Sequence, residues 1–347
     1  MQVQDGQGHA SAPLLLQVLG GQRRSPPPIW LMRQAGRYLP EYRAVRAEAG
    51  GFLDLVLDPP RAAEVTLQPI RRFGLDAAIL FSDILILPWA LGQDLRFAEG
   101  EGPLLGKLDV AALSQTAAPA RWAPVIETVR RVVDGLPAGV PLIGFAGSPL
   151  TVAAYMIDGR GGDYPKTRAM IAGGDPVLEK VLAALVEGSI AYVSAQIEAG
   201  ASTVQLFESH GALADATTLE RLVLAPTRAI VHALRQRHPG LRVIGFPRGL
   251  GGHLAAYAAG TGVDCVGIDT DTPLSLADRV LPAGIAIQGN LDPKLLVAGG
   301  PALVQGARHA LSEAGSRPLV FNLGHGITPD TPPDNIAALV AAVRSAT

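Results

Sequence analysis

Two arginines, Arg33 and Arg37, stand four residues apart in a chain of 347 residues. In a helical turn this spacing places two side chains on one face, roughly 6 Å apart at their Cβ atoms. Each guanidinium group can bind one carboxylate through two parallel hydrogen bonds, so the pair suits a ligand with several carboxylates. The alternative is a solvated pair at the start of a helix, because arginine side chains are usually exposed. The apolar residues 29–32 before the pair, and Gly36 within it, favour a binding site.

A carboxylate, Asp83, lies between two apolar runs at residues 78–81 and 84–87. Burying a lone carboxylate among apolar neighbours costs free energy unless it is paired or hydrogen-bonded. Asp83 therefore either caps the helix that follows it or serves a site in which it accepts several N–H bonds or faces a developing cation. Both interpretations stay open from the residues alone.

His325 stands between two glycines, and such flanks let a ligand approach the backbone closely. The alternative is a structural histidine. His210 and His253 could join it around a metal, but the sequence has no HxH, HExxH or HxC spacing, and Cys265 is its single cysteine. We therefore expect no bound metal.

Several common catalytic devices are absent from the sequence. Ser148 and Ser209 lack the G-x-S-x-G elbow of serine hydrolases. We find no dinucleotide fingerprint, no P-loop and no lysine at a predicted strand end that could form a Schiff base. We expect carboxylate, arginine, histidine and tyrosine side chains to do the chemistry without a cofactor.

The composition excludes further classes. Hydrophobic residues make up 48% of the chain, charged residues 17%, and the net charge is −2, so neither nucleic acid nor an anionic membrane is an expected partner. No apolar run reaches the roughly 18 residues of a membrane span. Residues 1–13 lack a basic segment followed by an apolar one, so we expect no secretory signal there. A single cysteine allows no internal disulfide and fits a cytoplasmic protein.

The sequence predicts alternating strands and helices as the elements that position these side chains. Eight apolar runs predict parallel strands buried on both faces, at residues 29–33, 77–83, 141–148, 203–209, 242–248, 265–270, 286–292 and 319–325. Helices are predicted after Asp58, after Asp175 and after Pro333. Eight such units predict a single (β/α)8 TIM barrel over residues 1–347, with a flexible tail at about 1–12. An open doubly wound sheet is the alternative.

In a barrel, the carboxyl ends of the strands face one pocket. The polar residues predicted there are Arg33, Arg37, Ser82, Asp83, Ser148, Glu208, Ser209, His210, Arg248, Asp269, Asn290, Asp292, Asn322 and His325. Residues 84–138, between the second and third strands, are expected to form a hairpin or extra helix over the barrel mouth. Residues 249–252 match a dinucleotide turn only in part and predict a tight turn.

Several motifs together resemble one family, uroporphyrinogen decarboxylase of the haem pathway. They are RQAGRYLPE at 33–41, FSDI at 81–84, GFAGSPLT at 144–151, YM at 155–156 with Gly159, FESH at 207–210, QGNLDP at 288–293 and FNLGHG at 321–326. The resemblance covers nearly the whole chain, and its first and last motifs are long and specific.

The resemblance implies a single (β/α)8 barrel, usually a homodimer, whose substrate is uroporphyrinogen. Such an enzyme converts the four acetate side chains of uroporphyrinogen III to methyl groups, giving coproporphyrinogen III and four CO2 without a cofactor. The family's site residues fall on Arg33, Arg37, Asp83, Tyr155, Ser209 and His325, and Phe207 would pack on the macrocycle. Of these, Asp83, Arg37, Tyr155 and His325 are expected to act in catalysis.

The chain departs from the family pattern at a few positions. Arg248 stands where lysine is usual, Thr270 where tryptophan is usual, and Gly211-Ala212 reverses the common order. Two other functions are considered: a zinc-dependent corrinoid or thiol methyltransferase of the same superfamily, and a tetrapyrrole carrier without activity. The first needs a zinc site of histidine and cysteine, and the second would release no CO2.

Overall fold

The computed structural model describes residues 12–98, 102–111, 113 and 119–346. Its main sheet has seven parallel strands in the spatial order β1-β4-β5-β6-β7-β8-β9, and β2 and β3 form a separate antiparallel pair. The strands are β1 (Ala78–Ile79), β2 (Leu95–Ala98), β3 (Gly102–Leu105), β4 (Leu142–Gly147), β5 (Thr203–Glu208), β6 (Val243–Pro247), β7 (Cys265–Gly267), β8 (Ala286–Leu291) and β9 (Leu319–Leu323).

Helices occupy most of the connections between the strands. They are α1 (Leu14–Leu19), α2 (Pro40–Glu48), α3 (Phe52–Val56), α4 (Pro59–Phe73), α5 (Ile86–Ala90), α6 (Pro119–Gly135), α7 (Pro149–Asp158), α8 (Pro165–Gly173), α9 (Pro176–Glu198), α10 (Ala225–Arg237), α11 (Leu254–Thr261), α12 (Leu274–Val280), α13 (Pro293–Ala298), α14 (Gly300–Glu313) and α15 (Pro333–Arg344). The predicted alternation of strand and helix is confirmed, so the fold is α/β with a parallel sheet.

Two glutamines inside the sheet show that it is strongly curled. Gln205 on β5 and Gln288 on β8 lie on strands three places apart in the sheet, yet Gln288 Nε2 donates to Gln205 Oε1 at 3.0 Å. In a flat sheet, strands three places apart are roughly 14 Å from each other. Trp30 Nε1 also donates to Gln288 Oε1 at 3.0 Å. The concave face therefore closes around a small interior, which α1 covers with Leu15, Val18 and Leu19.

The first predicted strand, residues 29–33, is wrong as an extended strand. It is an isolated parallel bridge between Ile29 and Phe321 of β9. The ladder stops because the N–H of Met32 donates to the side-chain Oδ1 of Asn322, at 3.0 Å, rather than to a backbone carbonyl. The segment still reaches both edge strands: the N–H of Trp30 donates to the carbonyl of Phe321 at 3.3 Å, and the carbonyl of Ile29 accepts from Asp76, two residues before β1, at 2.9 Å.

The second predicted strand, residues 77–83, is shortened to β1. Its end is diverted because the N–H of Phe81 donates to the hydroxyl of Thr66 on α4, at 3.2 Å. Residues 81–83 therefore leave the sheet as a loop, which carries Asp83 away from the strand.

The clearest helix predictions are confirmed. The carboxylate of Asp58 caps α4 by accepting from Arg61 N–H, and Asp175 caps α9 by accepting from Val177 N–H. Both helices have proline in the first turn, where the missing N–H costs nothing. The last predicted helix, α15, buries the four apolar residues expected to face the core, Ile336, Leu339, Val340 and Val343.

The excursion after β1 contains α5, the β2–β3 hairpin and α6, as predicted in outline. The hairpin is joined to the end of α7, since the N–H of Leu105 donates to the carbonyl of Gly159 at 2.7 Å. The predicted tail at residues 1–12 lies, except for residue 12, outside the described residues. Within the described part of the chain, no helix is both long and apolar enough to cross a membrane.

Candidate active site

The segment that carries Arg33 and Arg37 is a turn, so the expected helical face is wrong. Arg33 has φ 62°, in the left-handed region, which an α-helix of L-residues does not admit. The N–H of Gln34 donates back to the carbonyl of Leu31 at 3.0 Å, and the first helix after it, α2, begins only at Pro40. Both arginine side chains are exposed.

Arg33 meets two other predicted site residues at the carboxyl edge of the sheet. Its side chain lies over Gly326, where a Cβ would stand 2.3 Å from Arg33 Cδ. Its charge lowers the pKa of His325, next to Gly326, and also opposes the raised pKa of Asp83. Arg33, Asp83 and His325 therefore share one electrostatic environment.

Asp83 is half-buried at the start of the loop that leads into α5. Its Oδ1 accepts from the N–H of Leu85 at 2.8 Å, in the turn before α5. The N-cap of α5 is Leu85, with no side-chain cap hydrogen bond, so Asp83 is not the helix cap considered from the sequence. Desolvation by burial raises the pKa of Asp83, while the Leu85 N–H and the Arg33 charge act in the opposite direction. The side chain of Tyr192, from α9, lies beside Asp83, whose charge helps to raise the tyrosine pKa. Among the described residues Oδ2 has no hydrogen-bond partner, so it can serve a ligand.

His325 presents a defined nitrogen to the mouth of the site. Its Nδ1 accepts from the N–H of Gly326 at 2.7 Å, which assigns the proton of the neutral ring to Nε2. Desolvation, followed by the charges of Arg33 and Arg248, lowers the pKa of His325 to about 4. At pH 7 the ring is therefore a neutral hydrogen-bond donor rather than an acid.

Arg37 is connected to the site less directly. Its carbonyl accepts from Arg43 Nη1 at 2.8 Å, which fixes the backbone of the turn. Burial raises the pKa of Tyr42, and the Arg46 and Arg37 charges oppose that rise. The ring of Tyr42 in turn packs edge-on against Phe81 at 5.7 Å, two residues before Asp83. The described hydrogen bonds do not join Arg37 to Asp83 or His325.

Tyr155, on α7, belongs to a second group at the same edge. Its ring packs against Tyr164 at 5.6 Å and against His210 at 5.7 Å, and Tyr164 Oη hydrogen-bonds to His210 Nε2 at 2.8 Å. Desolvation and the charge of Arg248 lower the pKa of His210 to about 4. Tyr164 was missed from the sequence, although its place after Gly161-Gly162 in a glycine-rich loop was a usable signal.

Arg248 connects the two groups, because its charge lowers the pKa of both His210 and His325. The usual lysine at this position would also be cationic, so the departure keeps the sign of the charge. A cavity of about 820 Å³ adjoins the second group and is lined in part by Tyr164, Arg160 and Lys166.

Phe207 lies near the end of β5, and Ser209 lies in the turn that follows that strand. Phe207 is half-buried and packs edge-on against Phe145 of β4 at 5.7 Å and Phe246 of β6 at 6.1 Å. The three rings form an apolar patch across adjacent strands. Ser209, two residues on, is half-buried in the turn after the strand.

Of the other two departures from the family pattern, the Gly211-Ala212 order has a local structural reason, whereas nothing in the structure explains Thr270. A Cβ at Gly211 would stand 2.8 Å from Leu250 Cγ and 3.1 Å from the Arg248 carbonyl, so glycine suits this order of residues. Thr270 packs against Gly324, where a Cβ would stand 2.3 Å from the Thr270 nitrogen. Neither contact touches Arg33, Asp83 or His325.

Several polar residues predicted in the pocket are instead buried or hydrogen-bonded to the backbone. Glu208 and Ser148 are fully buried. The side chain of Asn322 accepts from Met32 and Leu323, Asp292 caps α13, Asp269 accepts from Gly249, and the Asn290 amide donates to the carbonyls of Asp269 and Thr272. Because side chains alternate along a strand, every second strand residue faces the helices.

Among residues 12–98, 102–111, 113 and 119–346, no group of three or more His, Cys, Asp or Glu side chains is placed to hold a metal ion. In that part of the chain, the site consists of arginine, carboxylate, neutral histidine, tyrosine and serine groups beside an aromatic patch. That set can bind carboxylates and an apolar ring system together and can stabilise a cation next to Asp83.

A curled parallel sheet, surrounded by helices and carrying such a site at its carboxyl edge, defines an α/β enzyme of the barrel-like class. A profile of the family described as Uroporphyrinogen decarboxylase (URO-D) matches residues 10–346. The chain belongs to the uroporphyrinogen decarboxylase family, and the resemblance seen in the sequence motifs is confirmed.

Individual members of the family match this chain in sequence over most of their length. The chain is 55% identical to the uroporphyrinogen decarboxylase of Acidiphilium cryptum (strain JF-5), covering 95% of this chain and 94% of that protein. It is 51% identical to that of Granulibacter bethesdensis (strain ATCC BAA-1260 / CGDNIH1), covering 95% and 98%. Among solved structures, a methyltransferase from Methanosarcina mazei is similar with a TM-score of 0.80 over 96% of this chain and 98% of that one. At 20% identity, that likeness shows a shared fold only.

Proposed function

We propose that this chain decarboxylates uroporphyrinogen III, converting its four acetate side chains to methyl groups and releasing four CO2. The observation that carries the proposal is the half-buried carboxylate of Asp83 within electrostatic reach of Arg33, which also acts on His325, in a chain of this family. The substrate has eight carboxylates around an apolar macrocycle, and the site pairs cationic and hydrogen-bonding groups with an aromatic patch.

Loss of CO2 from a pyrrole acetate begins with protonation of the adjacent ring carbon. The protonated ring is a cation that accepts the electron pair of the breaking C–C bond. A second proton then adds to the exocyclic carbon and completes the methyl group, and the ring carbon loses the first proton, which restores the aromatic pyrrole. We propose that Asp83 accepts hydrogen bonds from the pyrrole N–H groups and stabilises this cation. No step of the scheme calls for a cofactor.

Arg33, Phe207 and Ser209 have binding roles in the proposal, and Arg37, Tyr155 and His325 both bind the substrate and act in catalysis. Arg33 and Arg37 hold acetate or propionate carboxylates, and Phe207 packs on the macrocycle. Tyr155 and Ser209 donate hydrogen bonds to the substrate. His325, neutral at pH 7, donates through Nε2. Arg37 and a bound water are the candidate proton donors, and His325 takes that role only where the substrate's carboxylates raise its pKa.

We also propose that residues 29–32 act as the eighth strand position, so that the sheet forms a closed (β/α)8 barrel in one domain of residues 1–347. The hydrogen bonds of Ile29 and Trp30 to both sheet edges support this. We further infer a cytoplasmic homodimer, as the family resemblance implies. Light scattering of the purified protein measures its mass in solution, and a homodimer should have twice the mass of one chain.

The test of the proposed function is an anaerobic incubation with uroporphyrinogen III, followed by a count of carboxyl groups in the product. Coproporphyrinogen, with four carboxyls, supports the proposal. Binding without CO2 release would favour a tetrapyrrole carrier. Activity lost on treatment with a chelator and restored by zinc would favour the methyltransferase alternative.

A further inference from the structure

The carboxyl of Glu208 is buried next to the site but faces away from it. Glu208 ends β5 and has no exposed surface. Its Oε1 accepts a hydrogen bond from the hydroxyl of Thr151 on α7. Among the described residues, neither Oε2 of Glu208 nor the hydroxyl of Tyr257 on α11 has a hydrogen-bond partner. Tyr257 is close enough for the charge of Glu208 to help raise the tyrosine pKa.

A carboxyl in this position is costly for stability. Desolvation raises the pKa of Glu208 to about 7, although hydrogen bonds from Thr151 and from the backbone oppose the rise. An apolar residue of similar volume would avoid that cost. The presence of an acid here is therefore not explained by packing.

Thr151 makes a second contact that explains it better. Its hydroxyl oxygen accepts from the N–H of His210 at 3.1 Å while its proton goes to Glu208. A hydroxyl has one proton, so an acceptor at Glu208 orients the oxygen toward His210. Glu208, Thr151 and His210 thus form one chain of hydrogen bonds at the end of β5.

This chain connects two walls of the site. Thr151 and Tyr155 are four residues apart on α7, so they share one face of that helix. On the other side, His210 hydrogen-bonds through its ring to Tyr164, and the Tyr155 ring packs against both. Ser209 lies between Glu208 and His210 in the turn.

We propose that Glu208 is a positioning residue for the decarboxylation, holding through the Thr151 hydroxyl the helix that carries Tyr155 against the turn that carries Ser209 and His210. The inference rests on the proposed function and adds to it a residue that does not touch the substrate. Loss of these hydrogen bonds leaves the fold in place, but it lets α7 and the turn with Ser209 and His210 shift relative to the bound macrocycle.

The first test removes the hydroxyl of Thr151 with little change of shape. Thr151→Val should lower kcat by 10- to 100-fold, on the order of the cost of a displacement near 1 Å in a site, with a smaller change in KM. Thr151→Ser keeps the hydroxyl and should stay within about threefold of wild type. The matched control is Thr227→Val on α10, another buried hydroxyl, which should leave kcat unchanged. A folded Thr151→Val variant with wild-type kcat overturns the proposal.

The second test is a double-mutant cycle with Glu208→Leu. If both residues act through one hydrogen bond, the double variant should be no slower than the slower single variant. Multiplication of the two losses in kcat overturns the proposal. If Glu208→Leu does not fold, the comparison of Thr151→Val with Thr151→Ser still decides.

A third readout needs no turnover. Amide hydrogen exchange in the peptide that contains His210 should be faster in Thr151→Val than in wild type or Thr227→Val, because the His210 N–H loses the Thr151 hydroxyl as an acceptor and keeps only its interaction with the Glu208 carboxyl. Unchanged exchange overturns the proposal even if activity falls. A wild-type protein that fails to decarboxylate uroporphyrinogen would contradict the proposed function, but it would not change the exchange result.

Discussion

The side chain of Arg33 lies across the backbone of Gly326. A Cβ at Gly326 would stand 2.3 Å from Arg33 Cδ and 2.9 Å from its Nε. The glycine leaves room for this side chain, whose charge acts on the pKa values of both Asp83 and His325. Because Gly326 has no side chain, the guanidinium of Arg33 can take this position.

Gly326→Ala should displace Arg33 and lower turnover by about tenfold or more, equivalent to about 1.4 kcal/mol or more, while the protein stays folded. The added methyl meets a flexible side chain, so the arginine moves rather than the backbone. Steady-state kinetics with uroporphyrinogen and a thermal melt measure the two effects. Gly173→Ala, where a Cβ meets nothing within 4 Å, is the matched control. Wild-type kinetics in Gly326→Ala would show that the position of Arg33 is unimportant.

Long apolar and capped segments of the fold were predictable from the sequence. The α4 and α9 helices follow from aspartate caps and proline in the first turn, and the six strands from β4 to β9 follow from buried apolar runs. The extents of the first two predicted strands, at residues 29–33 and 77–83, were not predictable. Side chains of Asn322 and Thr66 accept hydrogen bonds that a neighbouring strand would otherwise receive. Sequence periodicity does not register such competition between side chain and backbone.

The candidate site was predictable as a set of residues but not as an arrangement. Spacing placed Arg33 and Arg37 on one helical face, whereas the left-handed conformation of Arg33 puts them in a turn. Glu208 was expected in the pocket, but the alternation at the end of β5 turns it toward Thr151. Tyr164 was not predicted, because its role depends on a contact with His210, which is 46 residues away in the chain.

Arg37→Lys should not behave as a conservative change. Lysine keeps the charge but loses the two parallel hydrogen bonds to a carboxylate. We expect turnover to fall by roughly tenfold or more, beyond a mild rise in KM. Arg130→Lys on α6, an exposed arginine whose ion pair within the described part of the chain is with Glu127, should be neutral in the same assay. Near-normal kinetics in Arg37→Lys would show that Arg37 is a solvated neighbour of the site.

Arg248→Gln should raise the pKa of two histidines at once. The charge of Arg248 helps to lower the pKa of both His210 and His325 to about 4, so its removal should move both toward the ordinary value of 6.5. An NMR titration of the imidazole Cε1 protons measures the midpoints. Arg130→Gln should leave both unchanged. Identical midpoints in wild type and Arg248→Gln would show that the charge of Arg248 does not act on His210 and His325.

Glu208 should make stability depend on pH in a predictable direction. Its pKa rises from 4.5 in the unfolded chain to about 7 in the fold, so the folded state binds more protons between those values. The stabilisation from this group is present below pH 4.5 and is lost as pH rises through 7. Relative to Glu208→Gln, the unfolding free energy of wild type should fall by about 3 kcal/mol from pH 4.5 to 8.

Urea unfolding of the two proteins at several pH values measures this difference. The shifts of His210 and His325 have the opposite sign, but they are common to both proteins and cancel in the comparison. Glu187→Gln, at an exposed position of α9, should show little dependence on pH relative to wild type. A constant difference between wild type and Glu208→Gln would mean that Glu208 does not titrate near neutrality.

The geometry of the carboxylate in the site should matter as well as its charge. Asp83→Glu keeps the charge but moves it by about 1 Å, in a site that must reach the pyrrole N–H groups of the macrocycle. We expect a fall in kcat of roughly 100-fold. Single-turnover kinetics separate this loss from substrate binding. Wild-type kcat in Asp83→Glu would mean that the position of the carboxylate is not critical.

The most direct test of the central claim is kcat of Asp83→Asn. Asparagine keeps the oxygen that accepts from Leu85 N–H, so the turn should be preserved, but it removes the negative charge. Because the pyrrole cation exists only after protonation, the loss should appear in kcat, by a factor of about 10²–10³. Asp175→Asn is the matched control, since Asp175 accepts from Val177 N–H at 2.9 Å in the same i to i+2 geometry at another helix. We predict that Asp83→Asn is folded and slow while Asp175→Asn turns over normally; retained kcat in Asp83→Asn would contradict the account, whatever happened to KM.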